Sequence, residues 1–187
     1  MKREAVLTWG AIVLLGGISA WLGWWLGQRA LWPDEKPAPP GMVVTEPGQL
    51  APPLSLPDLR SGQPVPVTGP GRTRLINYWA SWCGPCRKEM PVLDAFARQQ
   101  GGNGIKVMGI ALESREEALA FLEDVPVEFQ LLQENPGPGD SSVSLGNRRN
   151  ILPFTALVDD QGRLVKTRYG EFPSLEALNE WVRSPAE

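Results

Sequence analysis

The chain has no histidine. That removes the commonest metal ligand and the commonest general base near neutral pH. Cysteine is almost as scarce, since the 187 residues hold two, Cys83 and Cys86. A structural zinc site wants four cysteine or histidine ligands, so neither a metal nor another cofactor is expected. Excess charge of one sign is also missing. The net charge of −3 gives no reason to expect nucleic acid or an acidic membrane surface as partner. No internal repeat is found. Any chemistry must therefore come from cysteine, carboxylates, lysine, tyrosine or the backbone.

What the chain does have is an uncharged run near its start. From Ala5 to Gly27 there is no charged residue, and about 20 mostly apolar residues suffice to cross a bilayer core. Lys2 and Arg3 precede the run, and cytoplasmic flanks favour such residues; Arg29 follows it and weakens the asymmetry slightly. Trp24, Trp25 and Trp32 suit the water–lipid boundary. The expected organisation is a cytoplasmic tail at 1–4, a transmembrane signal anchor at 5–27, a linker at 28–49 and a domain at 50–187. The competing reading is a cleaved signal peptide, for which Gly17-x-Ser19 offers a weak site. The apolar run continues past that site through Leu26, which favours the anchor. Both readings export the domain to a compartment that permits disulfide chemistry. The linker carries Pro37, Pro39 and Pro40 and few large apolar residues, so it reads as an extended, semi-rigid spacer.

Beyond it, strand and helix patterns alternate. Arg74 to Ala80 has strand length and a mostly apolar composition. A helix is expected from Cys86 to about Gln100, with Met90, Leu93, Phe96 and Ala97 at helical spacing and a kink at Pro91. Ile105 to Leu112 predicts a second buried strand. Ser114 and Glu117 have capping-box spacing ahead of a second helix, and Val127 to Leu132 predicts a third strand. A Pro/Gly-rich loop at 135–140 precedes a short helical segment near Val143. Phe154 to Val158 and Leu164 to Tyr169 predict strands around the turn at 159–162. Ser174 opens a last amphipathic helix with Leu175, Leu178, Trp181 and Val182 on one face. Strands separated by helices predict an α/β sandwich.

The chemistry lies in Trp82-Cys83-Gly84-Pro85-Cys86, after a strand and at the start of a helix. A thiolate is the nucleophile of thiol–disulfide exchange, and a helix N-terminus stabilises it. Cys83 is therefore the expected nucleophile. Two intervening residues, Gly84 and Pro85, let Cys86 reach back to resolve a mixed disulfide. Pro85 falls in the first turn, where its missing N–H does no harm. A purely structural disulfide across so short a loop would constrain the unfolded chain little.

The string LINYWASWCGPCRKEMPVLDAF resembles the active-site segment of the thioredoxin superfamily. The apolar start, the Pro-rich lead-in and the additional helix and strand between Ser114 and Leu132 resemble its TlpA/ResA-type branch of exported thiol–disulfide oxidoreductases, commonly reductants. The resemblance covers about Leu50 to Val182. It implies a thioredoxin-like fold, a central mixed sheet flanked by helices, with an N-terminal transmembrane helix. It places a cis peptide at Leu152-Pro153, on a loop that packs against the cysteines and helps dock an extended client segment. The family often has Pro-Thr-Thr where this chain has Pro153-Phe154-Thr155, so Phe154 is expected to alter the docking groove. Trp82 is expected at the exposed rim, while core packing is the default for Trp79. Asn77 stands where thioredoxins carry a buried aspartate, so that proton route is absent. Glu89 matches a glutamate that ResA-type proteins place near the cysteines. Its carboxylate is either a proton shuttle for Cys86, if burial raises its pKa, or a solvated helix residue beside Arg87 and Lys88.

The resemblance further implies disulfide-containing client proteins, apocytochrome c among them. It also implies a membrane electron donor of the transmembrane thiol-reductase type and an inner-membrane location with the domain on the periplasmic or extracytoplasmic side. Gly-Pro between the cysteines is the thioredoxin pair, and no histidine stands there as in DsbA-like oxidants. A reductant of about −200 to −280 mV is expected. The alternatives are an oxidase or isomerase of the same fold, a metal-handling module or a redox-inactive binding module.

Overall fold

The computed structural model describes residues 16–25 and 38–185. The chain divides into two units, Met1–Lys36 and Pro37–Glu187. In the first, residues 16–25 are helical (α1), and Ile18, Trp21, Leu22 and Trp24 are exposed along it. The rest of the expected 5–27 anchor lies outside the described residues. Among the described residues no helix is long and apolar enough to cross a membrane.

In the second unit the chain joins the fold at Thr45, whose N–H donates to the Ser144 carbonyl at 2.8 Å. A two-stranded hairpin follows, β1 (Ser55–Pro57) and β2 (Pro64–Pro66). The main sheet contains β3 (Arg74–Trp79), β4 (Lys106–Leu112), β5 (Gln130–Glu134), β6 (Phe154–Val158) and β7 (Leu164–Tyr169). Their order is β5-β4-β3-β6-β7, with β3, β4 and β5 parallel and β6 and β7 antiparallel additions. This is the central mixed sheet of a thioredoxin-like α/β fold. Its helices are α2 (Gly84–Gln100), α3 (Arg115–Asp124), α4 (Ser141–Ser144) and α5 (Leu175–Arg183).

Alternation along the strands sends side chains to two separate cores. Leu75, Trp79, Val107, Ala111 and Leu131 face α2, α3 and α5, where they meet Met90, Leu93, Phe96, Phe121 and Leu178. β3 and β4 run in one direction through crossover helices, and right-handed connections put α2 and α3 on the same face. The other face carries Ile76, Tyr78, Met108, Ile110 and Phe154. It is covered by Ala51, Leu56 and Val67 of the lead-in and by Leu145 after the one-turn α4. Gly109 has no room for a side chain, because a Cβ there would come within 2.8 Å of the Phe129 ring.

The helix caps follow their sequence signals. Ser114 and Glu117 form the expected capping box of α3, and Ser174 caps α5 through the Ala177 N–H at 3.1 Å. Lys166, buried in β7, donates to the Trp181 and Ser184 carbonyls and so closes the C-terminal end of α5. α2 begins two residues before the expected Cys86, because the Cys83 side chain caps it and Pro85 fits its first turn. It runs unbroken across Pro91, whose missing N–H cannot close the usual bond to Arg87. β5 lies later than the expected 127–132. Val127 and Phe129 are buried against the helical core without belonging to the sheet, so apolar content there marked a loop.

Two segments outside the sheet reach its edges. Leu50 bridges Arg163 at the start of β7, and Asp58 bridges Leu132 of β5. The Gly48 N–H donates to the Leu164 carbonyl at 2.7 Å, and the Leu59 N–H to the Leu131 carbonyl at 2.9 Å.

Candidate active site

β3 ends at Trp79 and delivers the chain through Ala80, Ser81 and Trp82 to the start of α2. Cys83 is the N-cap residue of that helix, and its Sγ accepts from the Cys86 N–H at 3.3 Å. Cys83 and Cys86 are joined in a disulfide. No acidic residue lies in the first turn of α2. The positive end of the helix therefore acts on the Cys83 sulfur uncompensated, which favours a thiolate there once the bond is reduced. Cys83 is 6% exposed against 1% for Cys86, so the first residue of the pair is the more accessible of the two.

The loop before the pair is held by a carboxylate that the sequence did not single out. Glu113, buried at the end of β4, accepts from the Ser81 N–H at 2.7 Å and from the Ser81 hydroxyl at 2.6 Å. These bonds tie the turn into Cys83 to the neighbouring strand. On the other side, Leu152-Pro153 is cis, as expected. The Asn147 amide fixes that loop by donating to the Ile151 carbonyl at 3.2 Å and accepting from the Ile151 N–H at 3.2 Å. A groove of about 220 Å³ lies between Trp82 and Leu152, with Leu112, Asp140 and Asn150 among its walls. Trp82 is 70% exposed, a large apolar surface beside the disulfide.

Phe154 departs from expectation. It is fully buried on the opposite core, with ring centroids 6.1 Å from Tyr78 and 5.2 Å from Tyr169. Alternation along β6 turns its side chain into the core directly after Pro153, so it adds no wall to the groove. Trp79 is fully buried in the helical core, its ring 5.5 Å from that of Phe121.

Glu89 lies one helical turn beyond Cys86 and is 1% exposed, which rules out the solvated reading. One carboxylate oxygen accepts from the Asn77 amide and the other from the Phe172 N–H at 3.0 Å. Burial raises its pKa to about 7. The two donated bonds and Arg168 pull the value down, while Glu171 pushes it up. Asn77 also donates to the Thr155 hydroxyl at 3.0 Å, and its own Oδ1 is buried without a partner among the described residues. The buried carboxyl thus sits on the helix and a neutral amide occupies the strand. A buried carboxyl with a pKa of about 7 therefore lies one helical turn beyond Cys86. Among the described residues there is no cluster of ligating side chains that could hold a metal ion.

Residues 46–180 match the Redoxin family. The chain is 28% identical over 146 residues to sporulation thiol-disulfide oxidoreductase A of Bacillus subtilis, covering 76% of this chain and 87% of that protein. It is 31% identical over 132 residues to the thiol:disulfide interchange protein HelX of Rhodobacter capsulatus, covering 68% and 70% respectively. A solved thioredoxin-related protein from Neisseria meningitidis serogroup B superposes with a TM-score of 0.60 at 28% identity, over 68% of this chain and 96% of that one.

Proposed function

The chain belongs to the Redoxin family and is a thiol–disulfide oxidoreductase, and on that premise we propose that it reduces disulfides of exported client proteins while anchored to the membrane. The observation that carries the reading is the placement of Cys83 at the N-cap of α2, with buried Glu89 one turn beyond Cys86. In the reduced state the Cys83 thiolate attacks one sulfur of a client disulfide. A mixed disulfide forms and the other client sulfur leaves as a thiolate. Cys86 then gives its proton to Glu89 and attacks Cys83 Sγ. The second client sulfur is released, and the Cys83–Cys86 bond forms with the two electrons now on the client. Trp82, Leu152 and Pro153 border the surface on which an extended client segment docks.

Recharging requires a thiol donor on the same side of the membrane, and a transmembrane thiol reductase supplies it in this reading. Apocytochrome c awaiting haem is the client class we favour. The anchor rests on the uncharged run at 5–27, and the exposed apolar residues of α1 support it.

The test is the reduction potential of the full chain in detergent, equilibrated against a glutathione or dithiothreitol series. We expect about −200 to −280 mV, the range bracketed by glutaredoxins and thioredoxin. A value near the roughly −120 mV of DsbA would reverse the direction of flow and make the protein an oxidase or isomerase.

A further inference from the structure

The end of the sheet remote from the cysteines gathers three cations. Arg74 and Lys106 are the first residues of β3 and β4 and stand opposite each other in parallel register. Arg72 lies two residues before Arg74, and all three line a cleft of about 530 Å³ walled by Val65, Ile105 and Phe129 among others. No aspartate or glutamate lines it, and none of the three cations has an ion-pair partner among the described residues. In a chain of net charge −3 that is a local inversion of sign.

The two arginines are held in place by bonds that leave donors over. Arg72 gives Nε and Nη2 to the Gly104 carbonyl at 3.1 and 2.6 Å, and Arg74 gives Nη1 to the Gly69 carbonyl at 2.6 Å. A guanidinium has five N–H donors, so both retain several. The Lys106 ammonium has no hydrogen-bond partner among the described residues. Like charges at facing strand positions are destabilising. Here burial first, then the neighbouring cations, lower the pKa of both Arg74 and Lys106. The fold therefore maintains a repulsive cluster that a bound oxyanion would relieve.

We infer that this cleft binds a phosphate group, carried either by a free phosphate or by a phospholipid headgroup. Several convergent N–H donors match the several oxygens of one phosphate, and the positive charges match its charge. The apolar wall accommodates the esterified side of the ligand. The site is separate from the redox pair, which lies beyond the opposite ends of β3 and β4.

The test uses the full chain in nonionic detergent micelles, titrated with inorganic phosphate at fixed ionic strength against chloride, with thermal midpoint and calorimetric binding as readouts. In a second arm the micelles are doped with phosphatidylglycerol or phosphatidylcholine. Lys106→Gln removes charge without breaking a hydrogen bond, so its fold should survive. It should melt higher than the parent chain without ligand, because repulsion is relieved. It should also bind phosphate or the anionic headgroup at least tenfold more weakly, with disulfide-reductase turnover unchanged. A response to free phosphate assigns a soluble ligand, and a response to phosphatidylglycerol alone assigns the headgroup. If phosphate acts no differently from chloride and phosphatidylglycerol no differently from phosphatidylcholine, or if Lys106→Gln binds like the parent, the inference is overturned.

Discussion

The Asn77 amide of β3 donates to the Glu89 carboxylate of α2, so the buried acid one turn beyond Cys86 is held by a group that cannot itself take a proton. That bond favours the ionised carboxylate and opposes the upward push of burial. Removing it with Asn77→Ala should raise the Glu89 midpoint above about 7. A hydrogen bond to a charged group contributes roughly 1.5 kcal/mol or more, equivalent to about one pH unit. The pH–rate profile of exchange should move towards alkaline values, and an unmoved profile would detach Asn77 from Glu89.

Glu89 should also write itself into the pH dependence of stability. Its carboxyl titrates at about 7 in the fold against 4.5 ordinarily, so the folded state holds more protons across that window. Stability of the oxidised protein should fall as pH rises from 4.5 to 7 and then level off, by a total of about 3 kcal/mol. Glu89→Gln should flatten that slope and slow exchange. Urea unfolding at a series of pH values measures it, and an equal slope in both proteins would place the titration elsewhere.

In the proposed cycle the cysteines divide the labour unequally. Cys83→Ala should abolish exchange. Cys86→Ala should leave Cys83 able to attack, so that mixed disulfides with clients accumulate and resolve on non-reducing gels. A folded, exported Cys86→Ala protein that traps nothing would refute the two-step cycle.

Ser81 and Glu113 form a strap over the entrance to the motif. Glu113→Ala leaves both Ser81 donors without their acceptor, which should cost about 2 kcal/mol in urea denaturation. Ser81→Ala removes only the hydroxyl bond and should cost about half as much. Equal stability of all three proteins would show that water replaces the carboxylate freely.

Trp82 offers the opposite contrast. Being 70% exposed, it should tolerate Trp82→Ala within about 0.5 kcal/mol, while client reduction slows through loss of docking surface. A large stability loss with unchanged client turnover would return Trp82 to the structural scaffold.

The parts of the fold legible in sequence were those with a period or a cap. β3 and β4 announced themselves as mostly apolar runs of strand length, β6 and β7 by the turn between them, and α3 and α5 by the Ser114 and Ser174 caps. β1 and β2 gave no signal, because three residues including proline are too few to set a period. The cysteine motif was legible because its chemistry is local. The partners of Glu89 were not, since Phe172 lies 83 positions away and contributes only a backbone N–H. Glu113 was hidden for a similar reason. Nothing in the pattern around Ser114 marks the preceding carboxylate as facing Ser81, 32 positions earlier. The departure of Pro153-Phe154-Thr155 from Pro-Thr-Thr pointed to the groove, while strand alternation sends the Phe154 ring into the core.

The two bridges made by the lead-in bear on how the domain avoids pairing with its own copies. The sheet ends in β5 on one side and β7 on the other, and unpaired strand edges are templates for aggregation. A single stretch from Gly48 to Leu59 fastens to both, at Leu164 and at Leu131. A chain emerging from the ribosome N-terminus first would therefore already carry the guard for both edges before either edge strand exists. Loss of that short stretch would bare the two sides of the sheet at once, and self-association of the domain would be the first symptom.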